Sequence, residues 1–91
     1  MRSIVLTKQV EKFLRKLPQK QARQIAEKIQ ALRIDPIQND TKHLHGVSLL
    51  RVDVGEYRVV YAYATTCIEV FVVGKRNDDE VYRILKRTHK G

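Results

Sequence analysis

Cysteine occurs once in this 91-residue chain, proline twice and glycine four times. Each scarcity excludes a class of explanation. A lone Cys67 supports neither a disulfide framework nor a thiolate metal site, and its place in a strand-like run reads as a packed thiol. The scattered glycines form neither G-x-G-x-x-G nor a Walker pattern, so nucleotide hydrolysis has no support. His43, His45 and His89 lack ligand spacing, with no cysteine partner and no nearby run of carboxylates. No metal and no cofactor is therefore expected. No stretch approaches the roughly 18 apolar residues of a membrane span. The opening Met1-Arg2-Ser3-Ile4-Val5-Leu6 has one basic residue, too short an apolar run and no small-residue cleavage site for a signal peptide. A cytoplasmic protein without membrane contact is the expectation.

Acidic residues are also in short supply. Ten Asp and Glu face eighteen Lys and Arg, a formal charge of +8. Such a surplus on so small a chain predicts salt-dependent attraction to a polyanion or to an acidic protein, with plain solubility as the bland alternative. The length suits one small domain, 1–91, with a single core.

Ser3 to Leu6 reads as a short first strand. Thr7 is a candidate N-cap for a helix whose Val10, Phe13, Leu14 and Leu17 fall at i, i+3, i+4 and i+7. Pro18 ends that helix or opens the next, in which Ala22, Ile25, Ala26, Ile29 and Leu32 repeat the pattern until Asp35-Pro36. Residues 36–47 are polar and read as the longest loop. Strands follow near 48–54, 57–64 and 67–73, and a short helix near 78–87 carries Val81, Ile84 and Leu85 on its apolar side. There are no repeats or low-complexity segments. The order β-α-α-β-β-β-α predicts an α+β domain, a mainly antiparallel sheet with helices on one face and the opposite face free to hold a site.

The most informative run is Gly55-Glu56-Tyr57-Arg58-Val59-Val60-Tyr61. Gly55-Glu56 fits a two-residue hairpin turn, which sets the register. Val54 then faces Tyr57, Asp53 faces Arg58, Val52 faces Val59, Arg51 faces Val60 and Leu50 faces Tyr61. One face is apolar; the other gathers Arg51, Asp53 and Arg58. With Thr65-Thr66 as a tight turn, Arg58 lies opposite Val73, and the chain then delivers Gly74, Lys75 and Arg76 to the same edge. Asp53 opposite Arg58 has a simple structural reading as a cross-strand charge pair. Arg51, Lys75, Arg76 and Tyr82 add a second one. Guanidinium groups hold phosphate bidentately, and an aromatic ring offers a base something to stack on, although Tyr82 also suits a core position.

Taken in order, the helix pair, Lys42-His43-Leu44-His45-Gly46, G-x-Y-R-V-V-Y, V-G-K-R and E-V-Y resemble the RelE/ParE superfamily of type II toxin-antitoxin toxins, and its RelE branch in particular. The resemblance covers nearly the whole chain and implies a RelE-like fold. It further implies an endoribonuclease that enters the A site of the small ribosomal subunit, contacts mRNA and rRNA, and cleaves the codon there by attack of a 2′-hydroxyl on its own 3′-phosphate. By that likeness Arg58 steadies the transition state, Arg76 assists the leaving 5′-oxygen and Tyr82 orients the base. Arg51 and Asp53 stand where the family carries two lysines. Lys42, His45 and Lys75 are then candidate RNA contacts.

Asp53 is the departure from the pattern. Either it is itself the general base, its pKa held low by Arg51 and Arg58, or it buttresses Arg58 while Arg51 does what the family lysine does, although an arginine, which stays protonated, makes an awkward base. The resemblance also implies an acidic, RelB-like antitoxin that covers the cluster or displaces the C-terminal helix. Two rival readings stand beside the nuclease: a ParE-like toxin that blocks DNA gyrase without hydrolysis, and a basic module that only positions phosphate.

Overall fold

The computed structural model describes residues 2–44, 48–77 and 80–88. Its elements are β1 (Ser3–Leu6), α1 (Lys8–Lys16), α2 (Gln19–Ile34), β2 (Lys42–His43), β3 (Leu50–Val54), β4 (Tyr57–Tyr63), β5 (Cys67–Lys75) and α3 (Glu80–Thr88). They build one five-stranded sheet in the order β1-β5-β4-β3-β2, with β1 parallel to β5 and the other neighbours antiparallel. None of the described helices is long and apolar enough to cross a membrane.

Local chemistry starts and stops the helices where the sequence pattern predicts. The Thr7 hydroxyl accepts from the Val10 amide as N-cap of α1 and donates to the Phe71 carbonyl at 2.8 Å. One side chain thus caps the helix and ties it to β5. Two residues on, the Gln9 amide continues that tie. It donates to the Val73 carbonyl at 3.0 Å and accepts from the Val73 amide at 3.2 Å, in place of a strand partner beyond the end of β1. Leu17 closes α1, Pro18 opens α2 and Asp35 closes it.

The β3–β4 hairpin has the register that the Gly55-Glu56 turn dictates, from Val54↔Tyr57 to Leu50↔Tyr61. Gly55 takes a φ of +58°, which glycine adopts at little cost and other residues do not. Alternation then divides the side chains. Val52, Val59, Tyr61, Val70 and Val73 pack with Val10, Ile25, Ile29 and Leu32 of the helix pair. Ala26 repeats the apolar spacing of α2 yet lies exposed.

Three features differ from the pattern read in the sequence. First, α3 does not share a face with the other helices. Val81 and Leu85 pack on Val60, Val72 and Leu44, a second core on the opposite face. Val60 and Val72 point away from the helix pair and need their own cover, which Leu44 begins and α3 completes after β5.

Second, Lys42 and His43 are strand rather than loop. They pair with Arg51 and Leu50, and their pattern alone carries no strand signal. What delivers them is the preceding segment. The Lys28 ammonium donates to Gln38 at 2.9 Å and pairs with Asp40 at 3.1 Å, while the buried Tyr61 hydroxyl donates to the Pro36 carbonyl at 2.6 Å and lies 3.1 Å from the Thr41 hydroxyl.

Third, Arg58 lies opposite Gly74, not Val73. The Thr65-Thr66 turn is tight, with the Ala64 amide donating to the Cys67 carbonyl. Pairing then steps from Tyr61↔Val70 to Val60↔Val72, so Phe71 is an extra residue on β5. Such a bulge puts two consecutive side chains on one face and reverses every assignment beyond it. Phe71 and Val72 both belong to the α3 side.

Tyr61→Phe should keep the packing but leave the Pro36 carbonyl without its buried donor. We expect a loss of about 1–2 kcal/mol in unfolding free energy by denaturant titration. An unchanged midpoint and slope would mean that Tyr61 does not hold this segment.

Candidate functional site: a guanidinium cluster at one end of the sheet

Asp53 is the last but one residue of β3 and Arg58 the second of β4, so the hairpin places them directly opposite on the face away from the helix pair. Their side chains meet. Arg58 Nε donates to Asp53 Oδ1 at 2.8 Å and Nη2 donates to Oδ2 at 3.4 Å. Two more arginines approach the same carboxylate: Arg51 Nη1 stands 4.0 Å from Oδ1 and Arg76 Nη1 3.9 Å from Oδ2. Arg76 reaches the cluster because its amide donates to the Glu56 carbonyl, which carries the β4–β5 pairing one residue beyond Lys75 and, by alternation, returns the side chain to the face of Arg58.

From the other side, Arg58 Nη1 donates to the Tyr82 hydroxyl at 3.0 Å, and the guanidinium carbon lies 5.7 Å from the ring centroid. Tyr82 is one residue beyond the buried Val81 of α3, so the second core also aims the phenol. These three bonds engage three of the five N–H groups of Arg58. The Arg58 side chain is 14% exposed and that of Arg76 46%, so the cluster grades from a held cation to a solvated one.

Electrostatics follows from this arrangement. The hydrogen bond from Arg58 holds the Asp53 carboxyl below its ordinary range; partial burial opposes it, the charges of Arg58, Arg51 and Arg76 add to the pull, and the net shift is downward. The same bond raises the pKa of Arg58. Three guanidiniums around one carboxylate keep a net charge of +2 at this end of the sheet. Such a site can hold an anion and stabilise charge that grows on it. Asp53, ionised and bonded through both oxygens, is a weak proton acceptor.

Among the other residues singled out in the sequence, Lys42 joins this face: it is exposed and pairs with Arg51, and direct partners on antiparallel strands share a side. Lys75 does not. The Phe71 bulge turns it to the opposite face, where it pairs with Tyr57 and lines a cavity of about 260 Å³ with Glu56, Tyr57 and Asn77. His45 and His89 lie outside the described residues. His43 is exposed at the β2 edge. Among the described residues, no three His, Cys, Asp or Glu side chains gather in a way that would hold a metal ion.

One position of consequence escapes the sequence reading. Gly74 lies opposite Arg58 and under the first turn of α3. Its signal was an isolated glycine inside a valine-rich strand, a mark of close approach by another element.

Residues 4–80 match the family model of the ParE toxin of the type II toxin-antitoxin system, parDE. The chain belongs to the ParE toxin family. It thus lies in the RelE/ParE superfamily of type II toxins. In three dimensions it is similar to RelE from the archaeal RelE-RelB complex of Pyrococcus horikoshii, with a TM-score of 0.72 and 27% identity over 85% of this chain and 97% of that one. It is also similar to E. coli RelE bearing two arginine-to-alanine substitutions in the free state, with a TM-score of 0.77 and 23% identity over 94% and 96% of the two chains. The isolated E. coli RelE gives a TM-score of 0.73 and 24% identity over 97% and 99%. These E. coli matches show the RelE fold. No curated protein matches this ParE-family chain in sequence.

Because the native pKa of Asp53 is depressed, its ionised form stabilises the fold above the ordinary value of 3.8, and this contribution is lost as pH falls through the lowered native value. We expect the melting-temperature difference between the parent and Asp53→Asn to be constant from about pH 5 upward and to shrink progressively below pH 4. A difference that is still full-sized at pH 2 would contradict the pairing.

Proposed function

We propose that this toxin is a ribosome-dependent endoribonuclease of the RelE type. The observation that carries this reading is the convergence of Arg51, Arg58 and Arg76 on one carboxylate, with the Tyr82 hydroxyl closing the far side of Arg58. In the proposed reaction a ribose 2′-oxygen attacks the adjacent phosphorus. The 2′-hydroxyl proton passes to water, the P–O5′ bond breaks, and the departing 5′-oxygen takes up a proton from water, leaving a 2′,3′-cyclic phosphate and a 5′-hydroxyl. Negative charge builds on the phosphoryl oxygens during attack, and a preorganised guanidinium lowers its energy without solvent rearrangement.

Arg58 takes that role, being the most enclosed of the three arginines and already oriented from two sides. Arg76, more solvated and at the rim, faces the leaving 5′-oxygen. Arg51 and Lys42, side by side on β3 and β2, hold the neighbouring backbone phosphate. Tyr82 orients the base. Asp53 buttresses Arg58, for a depressed pKa makes it a poor base and both its oxygens already serve the guanidinium. Lys75, His45 and the basic residues of α1 and α2 belong to wider ribosomal contacts in this reading. Similarity to RelE from the archaeal complex with RelB supports a further proposal, that an acidic antitoxin neutralises this +8 chain in the cytoplasm.

A second reading has its own support. The family model over residues 4–80 is that of ParE, and Asp53 neutralises part of the cluster. A ParE-like toxin that blocks DNA gyrase would use this face for binding alone. Primer extension on mRNA translated with the purified protein separates the two. Cuts within codons, present with ribosomes and absent without, support the nuclease. Inhibited gyrase supercoiling with no cuts would overturn it.

Removing one preorganised donor to a developing oxyanion costs roughly 10²- to 10³-fold in rate. We expect Arg58→Ala to lose about that much in single-turnover cleavage on programmed ribosomes while remaining folded. Asp53→Asn should lose much less, since an amide still accepts a hydrogen bond. A thousandfold slower Asp53→Asn that is still folded at the assay temperature and binds the ribosome as tightly as the parent would instead make Asp53 the base.

A further inference from the structure

Across β4 and β5, Gly74 pairs with Arg58, so any side chain at 74 would stand on the charged face next to that guanidinium. The space is already filled. A Cβ at 74 would lie 3.2 Å from Val81 Cγ1 and 3.3 Å from both Cγ and Oε1 of Glu80. By contrast, a Cβ at Gly55 would meet nothing within 4 Å, and that glycine is explained by its turn alone. Gly74 has no positive φ to explain it. A β-branched residue, like the valines before it, would form the better strand.

The two neighbours differ in their ability to yield. Glu80 is half-buried with a flexible arm, whereas Val81 is fully buried between Val60 and Val72. A side chain at 74 therefore presses chiefly on Val81 and lifts the first turn of α3. Tyr82 is the next residue, and its hydroxyl meets Arg58 Nη1 at 3.0 Å, a contact that a shift of well under 1 Å degrades.

We propose that Gly74 is a positioning residue for the Arg58–Tyr82 contact: its missing side chain sets how deeply the first turn of α3 seats on the sheet. That seating holds the phenol against the guanidinium. The consequence for RNA cleavage rests on the nuclease reading above, while the consequence for the contact itself does not.

The test uses the full chain with Gly74→Val, and Gly74→Ala as the gentler variant should valine prevent folding. Arginine side-chain NMR reads the Arg58 guanidinium directly, and single-turnover cleavage reads activity. We expect Gly74→Val to lose the resonance shifts that Tyr82→Phe also loses. Cleavage should fall about 10- to 100-fold, the loss expected for one hydrogen bond to a charged group. Ribosome affinity should be unchanged. Placed on Tyr82→Phe, Gly74→Val should cost less than a further twofold, because both changes remove one contact. Adding Val81→Ala to Gly74→Val makes room and should restore the shifts.

Unperturbed Arg58 resonances in both Gly74 variants would overturn the inference, as would losses that multiply in the double variant. Lost resonances with undiminished cleavage would support the seating role of Gly74 and remove Tyr82 from the reaction.

Discussion

Pairing of β3 with β4 across Gly55 is the constraint on which the rest of this molecule depends. A slip of one residue would carry Val52, Val59 and Tyr61 away from the helix pair and bring Asp53 and Arg58 into the core beneath it. Burying that charged pair among valines would cost several kcal/mol, and exposing the apolar set would forfeit a similar amount. The hydrophobic core and the charged cluster are therefore two consequences of one register. Stability and site geometry cannot be varied independently at this hairpin.

The sheet is covered on both sides, yet unevenly. The helix pair spreads over one face, whereas α3 covers only the part of the other that Val60 and Val72 occupy. What remains beside α3 is the hairpin end, where Asp53, Arg58 and Arg51 stand half-buried. Partial cover matters for the chemistry such a cluster can perform. Full burial of three guanidiniums around one carboxylate would carry a heavy desolvation cost, and full exposure would let water screen them. Half-burial keeps Arg58 oriented by Asp53 and Tyr82 while Arg76 stays open to solvent.

Asp53 gives the cluster its particular character. Without it, three cations would repel one another at the sheet end and Arg58 would adopt many rotamers. With it, the guanidinium is locked through its Nε–Nη2 edge, and an incoming anion meets the N–H groups of Arg58 that Asp53 and Tyr82 do not engage, together with the more exposed Arg51 and Arg76. That arrangement exchanges some positive charge for preorganisation. It suits binding or stabilising a phosphate better than removing a proton.

Sequence alone determined the helices, the strands other than β2, and the hairpin. Period 3.6 in α1 and α2, period 2 in the strands, Thr7 as a cap and Gly55 as a turn are local signals, and local signals survive without tertiary context. They sufficed to bring Arg51, Asp53 and Arg58 together on one face and to link them, by resemblance, with Arg76 and Tyr82. Tertiary structure decided the rest. The bulge at Phe71 has no signal of its own; it arises because Val70 and Val73 must both face the helix pair, and it sends Lys75 away from the cluster. The strand character of Lys42 and His43 depends on Tyr61 and Lys28 gripping the preceding segment from elsewhere in the chain. The seat of α3 depends on the side chain that Gly74 lacks, whose place Val81 and Glu80 take, and no pattern within the helix encodes room left by another strand.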